Sequence, residues 1–261
     1  VGASNGSVTA IAADNVFAGG GSVVNSIVSA SGGNFEQLTP NTTQVTTAVT
    51  DDGDVTTVTL TATPSVVEGD NITYTATLTS AAASPVTVTL SSGEIITIAA
   101  GQTVGTVSIA APGDDPYLDA GNVSRTITSA TGGNFEALTV NPVAAVTNVS
   151  DTIDTTTLSI SGSTTVAEGT SGSYTVSLTS PAQTAVTVNL TYAGTAANGV
   201  DYTGVATVTI LAGDSSASFN IDPINDLIDE VAAESFTVTV ASATGGNFEN
   251  LVISGANNSV T

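Results

Sequence analysis

Apolar residues recur at every second position over much of the chain. In residues 154–261, Leu158/Ile160, Tyr174/Val176/Leu178, Val186/Val188/Leu190, Val208/Ile210, Phe219/Ile221 and Phe236/Val238/Val240 share one side of their runs, with Thr and Ser mostly on the other. A period of two sends successive side chains to opposite faces of an extended strand, so each run predicts a strand with one buried face. Branched β-carbons fit the pleat while the Thr hydroxyl stays hydrated. Leu251 to Val260 supplies a seventh run. Seven short strands separated by Gly, Pro, Asn and Asp turns predict an all-β, antiparallel, immunoglobulin-like sandwich. No stretch carries a helical period.

The pattern repeats. Gly-Gly-Asn-Phe-Glu stands at 32–36, 132–136 and 245–249, with spacings of 100 and 113 residues. Val67-Glu68-Gly69 returns as Ala167-Glu168-Gly169, again 100 residues on. Periods of this length match whole small domains rather than solenoid units. The longer spacing reflects an insertion, Tyr192 to Tyr202, where the preceding copy has only the tight turn Ser91-Ser92-Gly93. Three segments are expected: 1–53, the C-terminal half of a repeat; 54–153, a complete repeat; and 154–261, another. The first is expected to carry about three strands, with Ser7 to Ile11 standing where Thr106 to Ile109 stands. Its Val8, Val23, Ile27, Val45 and Val49 lack facing strands. Fraying, or pairing with another copy of the chain through this half-domain, is the expectation. The Gly-Gly-Asn-Phe-Glu turns read as backbone bends carrying a buried Phe.

Charge narrows the function. Asp and Glu number 23 against a single basic residue, Arg125, for a net charge of -22. Such a surface repels phosphate backbones and anionic headgroups, so no nucleic-acid partner and no membrane insertion are expected. Yet hydrophobic residues make up 41% of the chain, too many for an acidic disordered tail. With no Cys there are no disulfides, thiolate metal sites or cysteine nucleophiles. Without His, Cys or Lys, only paired carboxylates remain for acid–base work, and these fall in turns; no enzyme is expected.

The direction of the strands decides where the carboxylates go. If successive strands run antiparallel, as short loops require, every second loop lies at the same end. In 154–261 that end receives Glu168, Asp201, the acidic loop with Asp226, Asp229 and Glu230, and Glu234. In 54–153 it receives Glu68, Glu94, Asp114, Asp115 and Asp119, and the last strand delivers Asp151 and Asp154 there as well. Each sandwich thus enters at one end and leaves at the other, so copies string end to end with carboxylates at every junction. At the preceding junction stand Asp51, Asp52 and Asp54. The Gly-Gly-Asn-Phe-Glu turns are expected to point Glu249 at Asp151 and Asp154, and Glu136 at Asp51, Asp52 and Asp54. Singly, each is an ordinary solvated turn residue. Together they repel, at a cost that protonation or a cation relieves. Oxygen-only ligands without His or Cys point to Ca2+ rather than zinc or copper, and a cage of many carboxylates suits Ca2+ better than Mg2+.

Val166-Ala167-Glu168-Gly169, Gly199-Val200-Asp201-Tyr202, Leu211-Ala212-Gly213-Asp214 and Asn225-Asp226 followed by Glu234-Ser235-Phe236-Thr237-Val238 resemble a Calx-β domain. The resemblance implies a Calx-β-like sandwich that binds calcium at one end through Glu168, Asp201, Asp226, Asp229 or Glu230, and Glu234; Asn225 replaces the first Asp of the family's acidic pair. The tandem arrangement and the linker Asp-Thr-Ile-Asp-Thr-Thr-Thr at 151–157 resemble the extender repeats of large bacterial RTX-type adhesins. That implies type I secretion, an extracellular cell-surface location, and repeats that fold in external calcium to hold an adhesive domain away from the cell for attachment and biofilm formation. The expected function is a calcium-rigidified extender, or spacer, whose partners are calcium ions and neighbouring repeats of the same chain. A self-assembling extracellular fibre or surface-layer subunit is the alternative. A carbohydrate-binding module of an extracellular enzyme is disfavoured by aromatics at 4% and the absence of Trp.

Overall fold

Val86–Leu90 shows how alternation becomes a layer: Val86, Val88 and Leu90 are almost wholly buried, while Thr87 faces solvent. The computed structural model describes residues 4–225 and 234–261, and every regular element among them is a strand. In the middle of the chain Ala137–Val140, Val55–Ala62, Asn71–Leu78 and Val104–Ala110 form one sheet, in that order. Ile127–Gly132, Val86–Leu90 and Ile95–Ile98 form a second. Val58, Ile72 and Tyr74 of the one and Val86, Val88 and Ile96 of the other are essentially inaccessible.

Residues 154–261 repeat the plan. A five-stranded sheet runs Tyr202–Thr203, Ser216–Pro223, Gly172–Leu178, Thr155–Gly162, Asn250–Ile253; a four-stranded one runs Thr207–Ile210, Val186–Gly194, Phe236–Gly245, Ser259–Val260. Leu158, Tyr174 and Ile221 from the first join Val186, Val188 and Val238 from the second in one buried cluster, which defines a sandwich. The insertion carries structure of its own, since Val186–Gly194 extends into it and Tyr202–Thr203 pairs with Pro223 and Asp222.

One pairing in each of these two repeats departs from the antiparallel expectation. Ala137–Val140 runs parallel to the strand that opens its repeat, with Ala137 opposite Val55, and Asn250–Ile253 does the same beside Thr155–Leu158. The chain then changes sheets. At Asn141-Pro142 the ring nitrogen has no proton for the ladder, and Asn141 Oδ1 accepts the Val143 N–H at 2.9 Å, so the strand breaks there and resumes as Ala145–Ser150.

The first segment differs more. Its described residues form two strands rather than three, Gly21–Asn25 and Val45–Val49, paired from Gly21 opposite Val49 to Asn25 opposite Val45. Residues 7–11 form no strand, and Val8 and Ile11 are 94% and 95% exposed. Phe35 is also exposed, against the expectation of a buried ring.

The chain divides into two compact units. One comprises Val1–Val66, Asn71–Ala111 and Asn122–Asn148; the other comprises Val67–Asp70, Pro112–Gly121 and Val149–Thr261. The loops bearing Glu68 and Asp114, Asp115 and Asp119 therefore belong to the same unit as the linker with Asp151 and Asp154.

Candidate metal centre

Glu68 is held by its own backbone. Gly69 takes φ +75, a left-handed turn open to glycine, and donates its N–H to Pro112 O at 2.7 Å, while Glu68 N–H reaches Ser150 O at 3.0 Å. These bonds bring three stretches distant in sequence to one place. The side chain is 4% exposed, and its Oε1 accepts the Thr152 N–H at 2.7 Å. The Thr152 hydroxyl donates to Asp114 Oδ1 at 2.6 Å.

The loop carrying Asp115 and Asp119 is fixed by the third Gly-Gly-Asn-Phe-Glu turn. Tyr117 stacks on Phe248 with ring centroids 5.6 Å apart and planes at 26°. Around the rings, Leu118 N–H donates to Asn247 O at 3.0 Å, Glu249 N–H to Pro116 O at 3.1 Å, and the Asn247 side-chain amide to Leu118 O at 3.3 Å. The Tyr117 hydroxyl donates to Pro181 O at 2.7 Å. Asp115 Oδ1 accepts the Tyr117 N–H at 2.9 Å, which closes the turn locally.

Carboxylates converge as a result. Glu68, Asp151 and Glu249 can present oxygens within 4.8 Å of one another, as can Glu68, Asp115 and Asp119, with Glu68 common to both sets. Oxygens on opposite sides of a calcium ion lie about 5 Å apart, because Ca–O distances are about 2.3–2.6 Å. Three of the oxygens, Glu68 Oε2, Asp151 Oδ1 and Glu249 Oε1, are buried with no hydrogen-bond donor. A buried carboxylate oxygen without donor or cation is costly, so this trio fits a hard divalent ion. Glu249 Oε2, by contrast, accepts the Asp154 N–H at 2.5 Å.

The electrostatics agree with the geometry. Burial, then the charges of Asp115, Asp151 and Glu68, holds the Asp119 carboxyl above the usual carboxylate range. For Glu249 the Asp154 N–H pulls downward, but burial with Glu68 and Asp151 outweighs it and the net direction is up. Both respond as carboxylates do where negative charge is in excess.

A second group, Asp14, Asp52 and Asp54, lies in the other unit. Asp52 foremost, then Asp14, raises the Asp54 carboxyl. Glu136 Oε2 accepts the N–H groups of Gly53 and Asp54 at 2.8 and 2.7 Å, and Asp51 Oδ2 accepts that of Gly19 at 2.8 Å. Phe17 stacks on Phe135 at 5.8 Å and 21°, so this site repeats the Tyr117–Phe248 arrangement.

Other candidate residues stand apart. Glu94 is not in either group: Ser92 hydrogen-bonds its carboxylate and lowers its pKa, with a smaller contribution from Arg125. Glu168 and Glu234 are exposed, and Asp201 Oδ2 accepts the Ala197 N–H at 2.6 Å; the three join no carboxylate group among the described residues. Asp226, Asp229 and Glu230 lie outside the described residues. Glu249 and Glu136 face the linkers as their turns predict, Glu249 beside Asp151 and Asp154 and Glu136 beside Gly53 and Asp54, although neither sits in an acidic loop. Their signal is the recurrence of the turn beside each linker.

Paired β-sheets around a common core, recurring along the chain with carboxylate-only groups in their loops, define a tandem β-sandwich repeat protein. The LapA domain family model matches residues 1–52, 54–152 and 154–261, and the chain belongs to this family, whose namesake is a large RTX adhesin. Among solved structures, one described as the crystal structure of CBD12 from CALX1.2 is similar over 71% of this chain and 81% of that chain, at 12% identity and a TM-score of 0.30. No curated protein matches the chain.

Proposed function

We propose that the chain is an extender segment of a secreted surface adhesin, stiffened by calcium, that holds an adhesive domain away from the cell for attachment and biofilm formation. The observation that carries this reading is the trio of buried, donorless oxygens Glu68 Oε2, Asp151 Oδ1 and Glu249 Oε1. The chain has one basic residue, Arg125, and its guanidinium donates to Ser124 O at 3.0 Å. Neutralising charge must therefore come from outside. Calcium suits the oxygen-only set, and extracellular calcium modules typically bind at about 10⁻⁴–10⁻³ M, close to the calcium level outside cells.

Glu68 and Asp151 belong to the second matched stretch and Glu249 to the third, so one ion ties two sequence repeats together. Without it these carboxylates repel and the linker from Asp151 to Asp154 loosens. The role is mechanical, with 54–153 and 154–261 as the repeating units and 1–53 as part of another. Asp115 and Asp119 complete this centre, with Asp114 beside them. Asp52 and Asp54 are the ligands proposed for a smaller one with Asp14, and Asp51 is proposed to join them. Glu168, Asp201, Asp226, Asp229, Glu230 and Glu234 are the ligands proposed for a third. Calorimetric calcium titration of residues 1–261, with small-angle scattering in calcium and in chelator, tests this. Saturable uptake, a higher melting temperature and a stiffer scattering profile are expected. Identical melting curves in calcium and chelator would remove the metal reading.

A further inference from the structure

The Gly-Gly-Asn-Phe-Glu turns at 132–136 and 245–249 each receive a loop of one kind, an acidic residue followed two or three positions later by an aromatic one. The two engagements match bond for bond. Phe17 or Tyr117 stacks on the turn's Phe; the next N–H, of Ala18 or Leu118, donates to the turn's Asn carbonyl at 3.0 Å in both. The Glu N–H of the turn returns a bond to Val16 O or Pro116 O at 3.0 or 3.1 Å, and the Asn side-chain amide adds a third at 3.3 Å in both.

The turn at 32–36 is built the same way. Asn34 has φ 55, against 57 and 60 at Asn134 and Asn247, and Gly33 has φ 86 against 81 and 87. A Cβ on Gly33 would overlap the Phe35 ring, as one on Gly133 or Gly246 would overlap Phe135 or Phe248, so the ring lies on its glycine in all three. Only the covering differs: Phe35 is 66% exposed, whereas Phe135 and Phe248 are 8% and 6% exposed. No described aromatic ring stacks on Phe35.

We propose that residues 32–36 form a ready-made docking socket for the acidic-aromatic loop of another repeat of this family. Its aromatic ring stacks on Phe35, the N–H after the ring meets Asn34 O, and the Glu36 N–H meets the carbonyl before the ring. The two such loops described in this chain are already engaged, so the occupant comes from a further repeat. The socket uses an aromatic stack and backbone bonds, so it works without the calcium centre.

The test uses isotope-labelled residues 1–261 and a terminally blocked peptide of residues 112–122, observed by amide NMR in chelator. One ring and three hydrogen bonds imply millimolar affinity. Saturable shifts at Gly33 to Glu36 are expected, lost in F35A and lost with a peptide carrying Ala in place of Tyr117. Phe35 is exposed, so F35A should leave the rest of the amide spectrum unchanged. No shift at millimolar peptide, or an undiminished shift in F35A, overturns the proposal. So does a chain that self-associates through Phe35 before peptide is added, which would make a second copy the occupant. A lost calcium response with an intact peptide response would fault the metal reading alone.

Discussion

The Asp154 N–H donates to Glu249 Oε2 at 2.5 Å, tying the linker to the turn that closes the same repeat 95 residues later. Asp54 and Glu136 repeat the relationship at 2.7 Å. One glutamate thus has two tasks: Oε2 caps linker backbone, while Oε1 is buried without a donor. E249Q keeps an acceptor for the Asp154 N–H but removes a charge from beside Glu68 and Asp151. In chelator its melting temperature should equal or exceed that of the unaltered chain, because repulsion falls. In calcium the increment due to the ion should shrink. A full increment would take Glu249 out of the ligand set.

Glu68 belongs to both carboxylate sets, whereas Asp119 belongs to one and is exposed. E68Q should therefore lower calcium affinity by roughly ten-fold or more, since ligand charge sets affinity in such sites, and D119N by less. Titration calorimetry orders the two. The reverse order would mean that Glu68 is a structural cap for Thr152 rather than the shared ligand.

Protons should act in opposite senses with and without calcium. Asp54, Asp119 and Glu249 have carboxyls raised in the folded chain, so the folded state binds their protons more tightly than the unfolded state. In chelator, stability should rise as pH falls from neutral through those raised values, and this gain should level off near the ordinary carboxylate range at about pH 4. Glu94, lowered chiefly by the Ser92 hydrogen bond, contributes the other way, and its stability is lost as pH falls below that range. With calcium present, protons compete for the ligands, so the calcium-dependent rise in melting temperature should shrink over the first interval. Melting curves at several pH values, with and without calcium, separate these slopes; a calcium increment independent of pH would place the ion elsewhere.

Strand identity was readable because burial and alternation are local: Val86, Val88 and Leu90 face inward wherever the strand lies. Counting strands also put Glu68, Asp115, Asp119 and Asp151 at one end, and these come together, whereas Glu94, Glu168, Asp201 and Glu234, placed by the same count, join no carboxylate group among the described residues. Pairing direction was not readable. Nothing in the alternation of residues 137–140 says that they run parallel to Val55–Val58, or that Asn141-Pro142 passes the chain to the other sheet. Nor does the composition of 115–119 announce that Tyr117 lies on Phe248, since that contact joins residues 131 apart. The missing third strand of the first segment has the same origin: Ser7 to Ile11 stands where Thr106 to Ile109 stands, but no strand forms there among the described residues.

The aromatic stack gives a way to disturb the metal centre without touching a ligand. Gly246 has φ +87, and a Cβ there would overlap the Phe248 ring. G246A therefore carries two costs, left-handed backbone for a non-glycine residue and a displaced ring, together about 2–4 kcal/mol. A shifted Phe248 no longer seats Tyr117, and the loop with Asp115 and Asp119 moves with it. Calcium affinity should fall even though every carboxylate remains. Gly93 provides the control, because its φ is +97 with nothing within 4 Å of an added Cβ. G93A should share the backbone cost and leave calcium affinity unchanged. Equal losses of affinity in the two variants would mean that general destabilisation, and not the Tyr117–Phe248 seat, governs the centre.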